Sequence, residues 1–238
     1  MSDETVIDEV GDGIFRISTY LYDFITFNQY LVLADEPLLF HCGMRSIFGQ
    51  VSEAAATVMP LDSLRWITFG HVEADESGSM NQWLAAAPAA EVAHGALGCI
   101  VQLNDLADRP PRGLEHGEVI DLGGRRVRHL DTPHVPHAWD ARVLFEETTG
   151  TLFGGDLFTQ GGPSPATSTE DIIGPAIAYE QNLPYSALGP TTVSTIRDLA
   201  VLDPSSIALM HGPMFTGDCR QALVDLADHY EGVIASMA

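Results

Sequence analysis

No lysine occurs in the 238 residues; all 11 basic side chains are arginine, against 33 aspartates and glutamates, for a formal charge of −22. The missing lysine is a compositional bias and carries no functional reading. The missing positive charge does carry one. So acidic a surface repels phosphate, which excludes nucleic acid and anionic membranes as natural partners. Cysteine is scarce too: Cys42, Cys99 and Cys219 are odd in number and far apart. Free thiols are therefore expected rather than a disulfide framework. No uninterrupted apolar run approaches the roughly 20 residues that span a bilayer. The opening Met1-Ser2-Asp3-Glu4 lacks the basic and apolar regions of an export leader, so a cytoplasmic location is expected. Repeats, low-complexity tracts and linkers are also missing. With 45% apolar content, 1–238 is expected to form one domain around a full core.

Hydrophobic patterning predicts strands over 13–18, 30–33 and 38–41, a helix over 50–59, and a buried strand over 66–69 that ends in Gly70-His71. A helix over 80–87 and a strand over 91–94 follow. Strands return over 118–122, 125–130, 143–147 and 151–153. The Gly-, Pro- and Ser-rich stretch 157–168 reads as a surface loop. Beyond it come a helix over 191–202, a short strand over 207–210 and a closing amphipathic helix over 218–236. Strands and helices mixed in two successive halves predict an α/β fold, two sheets packed face to face with helices outside.

The chemistry concentrates in His71-Val-Glu73-Ala-Asp75-Glu76, followed at wide spacing by His137, Asp156 and His211. Extended backbone would turn His71, Glu73 and Asp75 to one side. Imidazole and carboxylate aimed at one point are what a metal ion requires. His71, Asp156 and His211 each follow a predicted strand, so strand ends along one edge would surround a single cleft. Three imidazoles with three carboxylates suit harder, redox-active ions such as iron or manganese better than a nitrogen-rich zinc hydrolase site. The charge of two ferrous ions would be nearly balanced by those carboxylates, and fully if Glu76 joins. The segment Thr132-Pro-His-Val-Pro-His137 offers two imidazoles, His134 and His137. His41 ends a strand facing the same cleft and reads equally as an orienting partner or as packing; Cys42 beside it reads as a buried thiol. His94, His116, His129 and His229 read as surface-like or helix-end residues without a chemical role.

These residues resemble the metallo-β-lactamase superfamily and, within it, the oxygen-binding di-iron domain of flavodiiron proteins. The likeness rests on His71-x-Glu73-x-Asp75, Thr132-Pro133 leading to His137, Gly155-Asp156 and Met210-His211-Gly212-Pro213. Phe27-Asn-Gln-Tyr-Leu-Val32 and Asn182-Leu-Pro-Tyr-Ser186 support it, and it runs from about Gly13 to beyond His211. It implies an αβ/βα sandwich of two mixed sheets flanked by helices, with two iron ions at one edge. His71, Glu73 and His137 would hold the first iron, Asp75 and His211 the second, and Asp156 would bridge. His137, 19 residues before Asp156, has the family's spacing, which leaves His134 as an outer partner. Tyr185 resembles a tyrosine near the iron pair that donates to bound gas, and also fits an ordinary half-buried tyrosine.

Three departures stand out. Glu76 replaces the histidine that usually follows the aspartate, and would add a negative charge by reaching the second metal directly or through water. The alternative is that it turns outward. His41-Cys42-Gly43 stands where the family often has Asp-Thr-Gly. No length remains for a flavodoxin domain, so no flavin is expected. The resemblance implies binding or reduction of O2 or NO with electrons from a separate flavoprotein or rubredoxin, and a homodimer. A binuclear zinc hydrolase and a non-catalytic gas sensor are the alternatives on the same fold. Zinc would displace iron on overexpression, because it binds such ligands more tightly.

Overall fold

Two seven-stranded sheets account for most of the architecture. The computed structural model describes residues 4–237, and the acidic opening Met1-Ser2-Asp3 lies outside it. The first sheet runs in chain order: β1 (Thr5–Gly11), β2 (Ile14–Leu21), β3 (Ile25–Val32), β4 (Leu38–Phe40), β5 (Trp66–Thr68), β6 (Glu91–Gly95) and β7 (Arg112–Leu114). Its first four strands pair antiparallel and the rest parallel. Helices α1 (Phe48–Ala55), α2 (Ala74–Ser77) and α3 (Met80–Ala86) fall between β4 and β6; α4 (Ala96–Gly98) and α5 (Asn104–Leu106) flank a helical turn at Cys99–Leu103. The second sheet contains β8 (Val119–Asp121), β9 (Arg126–Asp131), β10 (Arg142–Glu146), β11 (Thr151–Gly155), β12 (Thr167–Ser168), β13 (Ser206–Leu209) and β14 (Met214–Phe215), in the order β12-β14-β13-β11-β10-β9-β8. Helices α6 (Ile173–Asn182), α7 (Thr192–Val201) and α8 (Cys219–Met237) belong to this half.

Three apolar clusters define the layers. Tyr30, Phe40, Trp66, Leu144, Phe153 and Ala208 meet between the sheets. Val51, Met80 and Trp83 cover the outer face of the first sheet, and Ile196, Leu223 and Leu226 that of the second. Helix, sheet, sheet, helix is the expected sandwich, and it is the fold of metallo-β-lactamases.

Most expected elements are present with ends shifted by a few residues. The largest shift is β3, expected to begin at Tyr30 but beginning at Ile25. Thr26, Asn28 and Gln29 hide it in a hydropathy reading, yet all three are buried. Asn28 explains why polarity belongs there. Its Nδ2 donates to the carbonyls of Leu209 at 2.8 Å and Gly212 at 2.7 Å. Tyr30 Oη also donates to Leu209, at 2.8 Å, and Arg16 Nη2 to Gly212, at 3.1 Å. This seam fastens the first sheet to the residues on either side of His211. Helix α6 carries little sequence signal because Gly174 and Pro175 open it, although proline is tolerated in a first turn. Strand β1 is a sheet edge in which acidic residues interrupt the apolar ones, a pattern that discourages pairing with other chains.

Two readings of histidine are corrected. His94 and His129 are not surface-like: they are 0% and 1% exposed. His129 is disguised by charged neighbours and turned inward by the alternation of β9, whereas His94 lies on β6, whose central residues are all buried. Cys42, Cys99 and Cys219 are buried free thiols. Among the described residues no helix is long and apolar enough to cross a membrane.

The seam yields a direct test. Asn28→Leu keeps the volume and removes both donors while each carbonyl retains one other partner, so a loss of about 1–3 kcal/mol is expected. Chemical denaturation measures it, and a variant as stable as the parent would show that the seam is not a fastening.

Candidate metal centre

The sequence expected residues 71–75 to be extended throughout, and only the first part is. Glu73 is extended at φ −134° and ψ 160°, and α2 begins at the next residue. Asp75 therefore projects from a helical turn, and strand alternation is not what turns it toward the cleft. His71 follows β5, Asp156 follows β11 and His211 follows β13, while His137 stands on the loop before β10. Gly155, at φ +56°, makes the sharp turn that delivers Asp156 from the end of β11.

The donors form two groups. In one, His71 Nε2 lies 2.7 Å from Glu73 Oε2 and 3.1 Å from His137 Nε2. His137 Nε2 is 3.3 Å from both Glu73 Oε2 and Asp156 Oδ2. In the other, His211 Nε2 lies 3.3 Å from Asp75 Oδ2 and 3.5 Å from Asp156 Oδ1. Atoms that share an ion at about 2.1 Å stand roughly 3 Å apart at right-angled positions, so both groups have metal-ligand spacing. Asp156 offers a different oxygen to each. Ligand atoms of His71, His137 and Asp156 lie within 4.8 Å of one another. Asp156 Oδ1 is buried without a hydrogen-bond donor, an acceptor aimed where a cation would sit. The donor set fits a pair of cations.

Fixed partners aim these side chains. His211 Nδ1 donates to the Thr26 carbonyl at 2.7 Å, which leaves Nε2 for the cleft. The Asp156 carbonyl accepts from Thr159 Oγ1 at 2.8 Å and from Tyr185 Oη at 3.1 Å. Tyr185 thus spends its proton on the ligand loop while its ring meets His137 edge-on, with centroids 5.7 Å apart.

Glu76 stands elsewhere than at the second position. It is 0% exposed, and Oε2 accepts the backbone N–H of His71 at 2.7 Å and lies 3.4 Å from His71 Nδ1. Oε1 is 3.3 Å from His41 Nε2, a contact without hydrogen-bond alignment. The physical reason is the helical turn, which separates Glu76 from Asp75 and folds it back beneath the loop. Gly70 permits this: a Cβ there would meet Glu76 Oε2 at 2.9 Å. His41, fully buried, is a partner of Glu76. His134 is exposed and its backbone N–H donates to Ala138, so the expected orienting role does not follow from its placement. Sequence reasoning missed Thr159 and Tyr179, which line the cleft with the donors. Thr159 lies in a loop and Tyr179 on the helix without a clear signal.

The titration behaviour reflects crowded charge. Burial opposes the imidazolium of His71, but Glu76, Glu73 and Asp156 outweigh it and push it up to about 12. Burial also opposes His211, and Asp75 and Asp156 still raise it to about 9. Burial, reinforced by Glu76, raises Asp156 to about 6. Hydrogen bonds from His137 and His71 hold Glu73 well below the usual carboxylate range. Protons thus gather where cations would otherwise balance the carboxylates.

A sequence model described as ODP family beta lactamase matches residues 25–187. The chain is 25% identical over 221 residues to the rubredoxin-oxygen oxidoreductase of Megalodesulfovibrio gigas, covering 87% of this chain and 54% of that protein. It is 21% identical over 219 residues to the anaerobic nitric oxide reductase flavorubredoxin of Aeromonas salmonicida, covering 87% and 42%. The chain thus spans about half the length or less of these relatives. A mutant flavo di-iron protein from Thermotoga maritima superposes with a TM-score of 0.85 at 16% identity, over 97% of this chain and 63% of that one. At that identity the likeness shows the fold alone.

Two expectations follow from the geometry. Glu76→Gln keeps an acceptor for the His71 N–H and deletes the buried charge. It should weaken metal binding about 10-fold or more, with the loss at the His71, Glu73 and His137 group in a stepwise titration; a loss confined to Asp75 and His211 would contradict this. The second concerns chelator-treated protein. Asp156 is raised, so its stabilising contribution is complete below about pH 4 and lost as pH rises through about 6; that of His211 is complete below about 6.5 and lost through about 9. The melting temperature should therefore fall from pH 6 to pH 9, and a flat or rising profile refutes the sign.

Proposed function

The chain belongs to the ODP family of β-lactamase-like proteins, and from that premise we propose that it is a di-iron module that binds and reduces O2 or NO with electrons from a separate donor. The observation that carries this reading is the split of Asp156, with Oδ2 toward His71 and His137 and Oδ1 toward His211. One carboxylate serving two donor groups is the arrangement of a binuclear centre. The oxygen-rich donor set favours iron over zinc. An iron pair held there supplies the one-electron redox chemistry that reduction of a diatomic gas requires.

The protein's own residues shape the approach. The cleft among Thr159, Tyr179, Tyr185 and the donors measures about 110 Å³, well below the roughly 300–1,000 Å³ of ordinary small-molecule pockets. A diatomic gas fits that space. Tyr185 narrows one wall and holds the Asp156 loop in place, and its proton is already committed to a carbonyl. His211 and His71 are held by carbonyl and carboxylate partners, so their cleft-facing nitrogens need no rearrangement. A separate donor accords with a relative whose name pairs the activity with rubredoxin.

The test is oxygen uptake by iron-loaded protein supplied with enzymatically reduced rubredoxin. Uptake should depend on iron and fall more than about 100-fold in Asp156→Ala, beyond the 10–100-fold typical of removing an outer partner. Zinc-loaded protein that hydrolyses a lactam or ester, with no uptake by the iron form, would replace this reading with a hydrolase.

A further inference from the structure

We propose that Asp140 is a positioning residue that locks the His71 loop to the His137 loop, so that donors far apart in sequence meet as one preassembled group. The proposal rests on the metal-binding reading of the cleft. Asp140 follows His137 by three residues, just before β10, and its side chain is 4% exposed. A single oxygen makes the ties. Oδ2 accepts the backbone N–H of Val72, the residue after His71, at 3.1 Å. It accepts Gln102 Nε2 at 3.0 Å and lies 3.3 Å from His94 Nε2. Three segments therefore converge on one atom: the metal loop, strand β6 and the helical turn Cys99–Leu103.

The backing behind Asp140 is rigid. His94 is fully buried on β6, and its ring lies against Phe69 with centroids 4.9 Å apart. Gly98 closes over that ring; a Cβ there would stand 2.6 Å from His94 Cδ2. His94 consequently has no room to swing away from Asp140. A second tie runs parallel, from the Arg142 N–H to the Gly70 carbonyl at 2.9 Å. The backbone tie sets the strand ends, and the Asp140 tie fixes the residue that flanks His71. Together they hold the His71 and His137 Nε2 atoms 3.1 Å apart across 66 residues of sequence. Nitrogens left to loop flexibility would have to be gathered by the ion, at the cost of ordering both loops on binding.

Cobalt(II), whose visible spectrum reports its donors, is the probe. Asp140→Ala removes the acceptor, Asp140→Ser leaves an oxygen too short to reach Val72, and Asp140→Asn keeps an acceptor in place. Circular dichroism identifies the folded variants, and the serine variant carries the test if the alanine variant does not fold. The Ala and Ser variants should bind the first cobalt about 10–100-fold more weakly, with an altered spectrum. Asp140→Asn should stay within about 3-fold of the parent, with the parental spectrum. Parental affinity in Asp140→Ala or Asp140→Ser overturns the proposal, as does an asparagine variant that loses as much as alanine. A parent that binds no cobalt sinks the metal reading and this inference together. A parent that binds while its variants are unchanged sinks this inference alone.

Discussion

Negative charge gathered at one edge of two sheets is the constraint around which this protein is arranged. Glu73, Asp75 and Glu76 each stand within reach of one or more of the cleft imidazoles, and Asp156 within reach of His71, His137 and His211. Carboxylates this close cannot all remain ionised in a low-dielectric setting without positive charge between them. Raised imidazoles and a raised Asp156 show how protons meet that demand. A cation pair meets it better, since one ion neutralises several carboxylates at once. The scaffold supplies the rest. The interior between the sheets holds the strands apart at the right distance, and their carboxyl-terminal ends carry the donors to a common edge.

Three of the donors, His211, His71 and Asp156, are held from behind by groups that are not donors. Thr26 holds His211, Glu76 holds His71, Asp140 holds the backbone beside His71, and Tyr185 with Thr159 holds Asp156. Such outer contacts fix which ring nitrogen faces the ion and how far a loop can drift, and their loss typically costs about 10–100-fold in affinity. The seam of Asn28, Tyr30 and Arg16 belongs to the same logic at larger scale, because it pins the turn that carries His211 to the opposite sheet.

Much of this was legible in the sequence, and the failures have physical causes. The strands at 66–69, 151–153 and 207–210 were readable because runs of apolar residues end abruptly in glycine or histidine. The placement of His71, Glu73, Asp75, His137, Asp156 and His211 around one cleft followed from those ends and from a family resemblance. The route was less accurate than the destination: a helical turn at Ala74, not an extended strand, brings Asp75 in. That same turn sends Glu76 behind His71, which no alternation rule for extended backbone would give. Buried polar residues were the blind spot. Asn28, His94 and Asp140 look like surface residues by type, and only their three-dimensional partners explain their burial. Helix α6 escaped notice because Gly174 and Pro175 resemble the loop that precedes it.

The central claim is that Asp156 joins two cation positions. Anomalous scattering at the iron edge from crystals of iron-loaded protein tests it most directly. Two peaks are predicted on either side of the Asp156 carboxylate, one among His71, Glu73 and His137 and the other between Asp75 and His211. A single peak, or a peak coordinated by Glu76 in place of Asp156, would contradict the account.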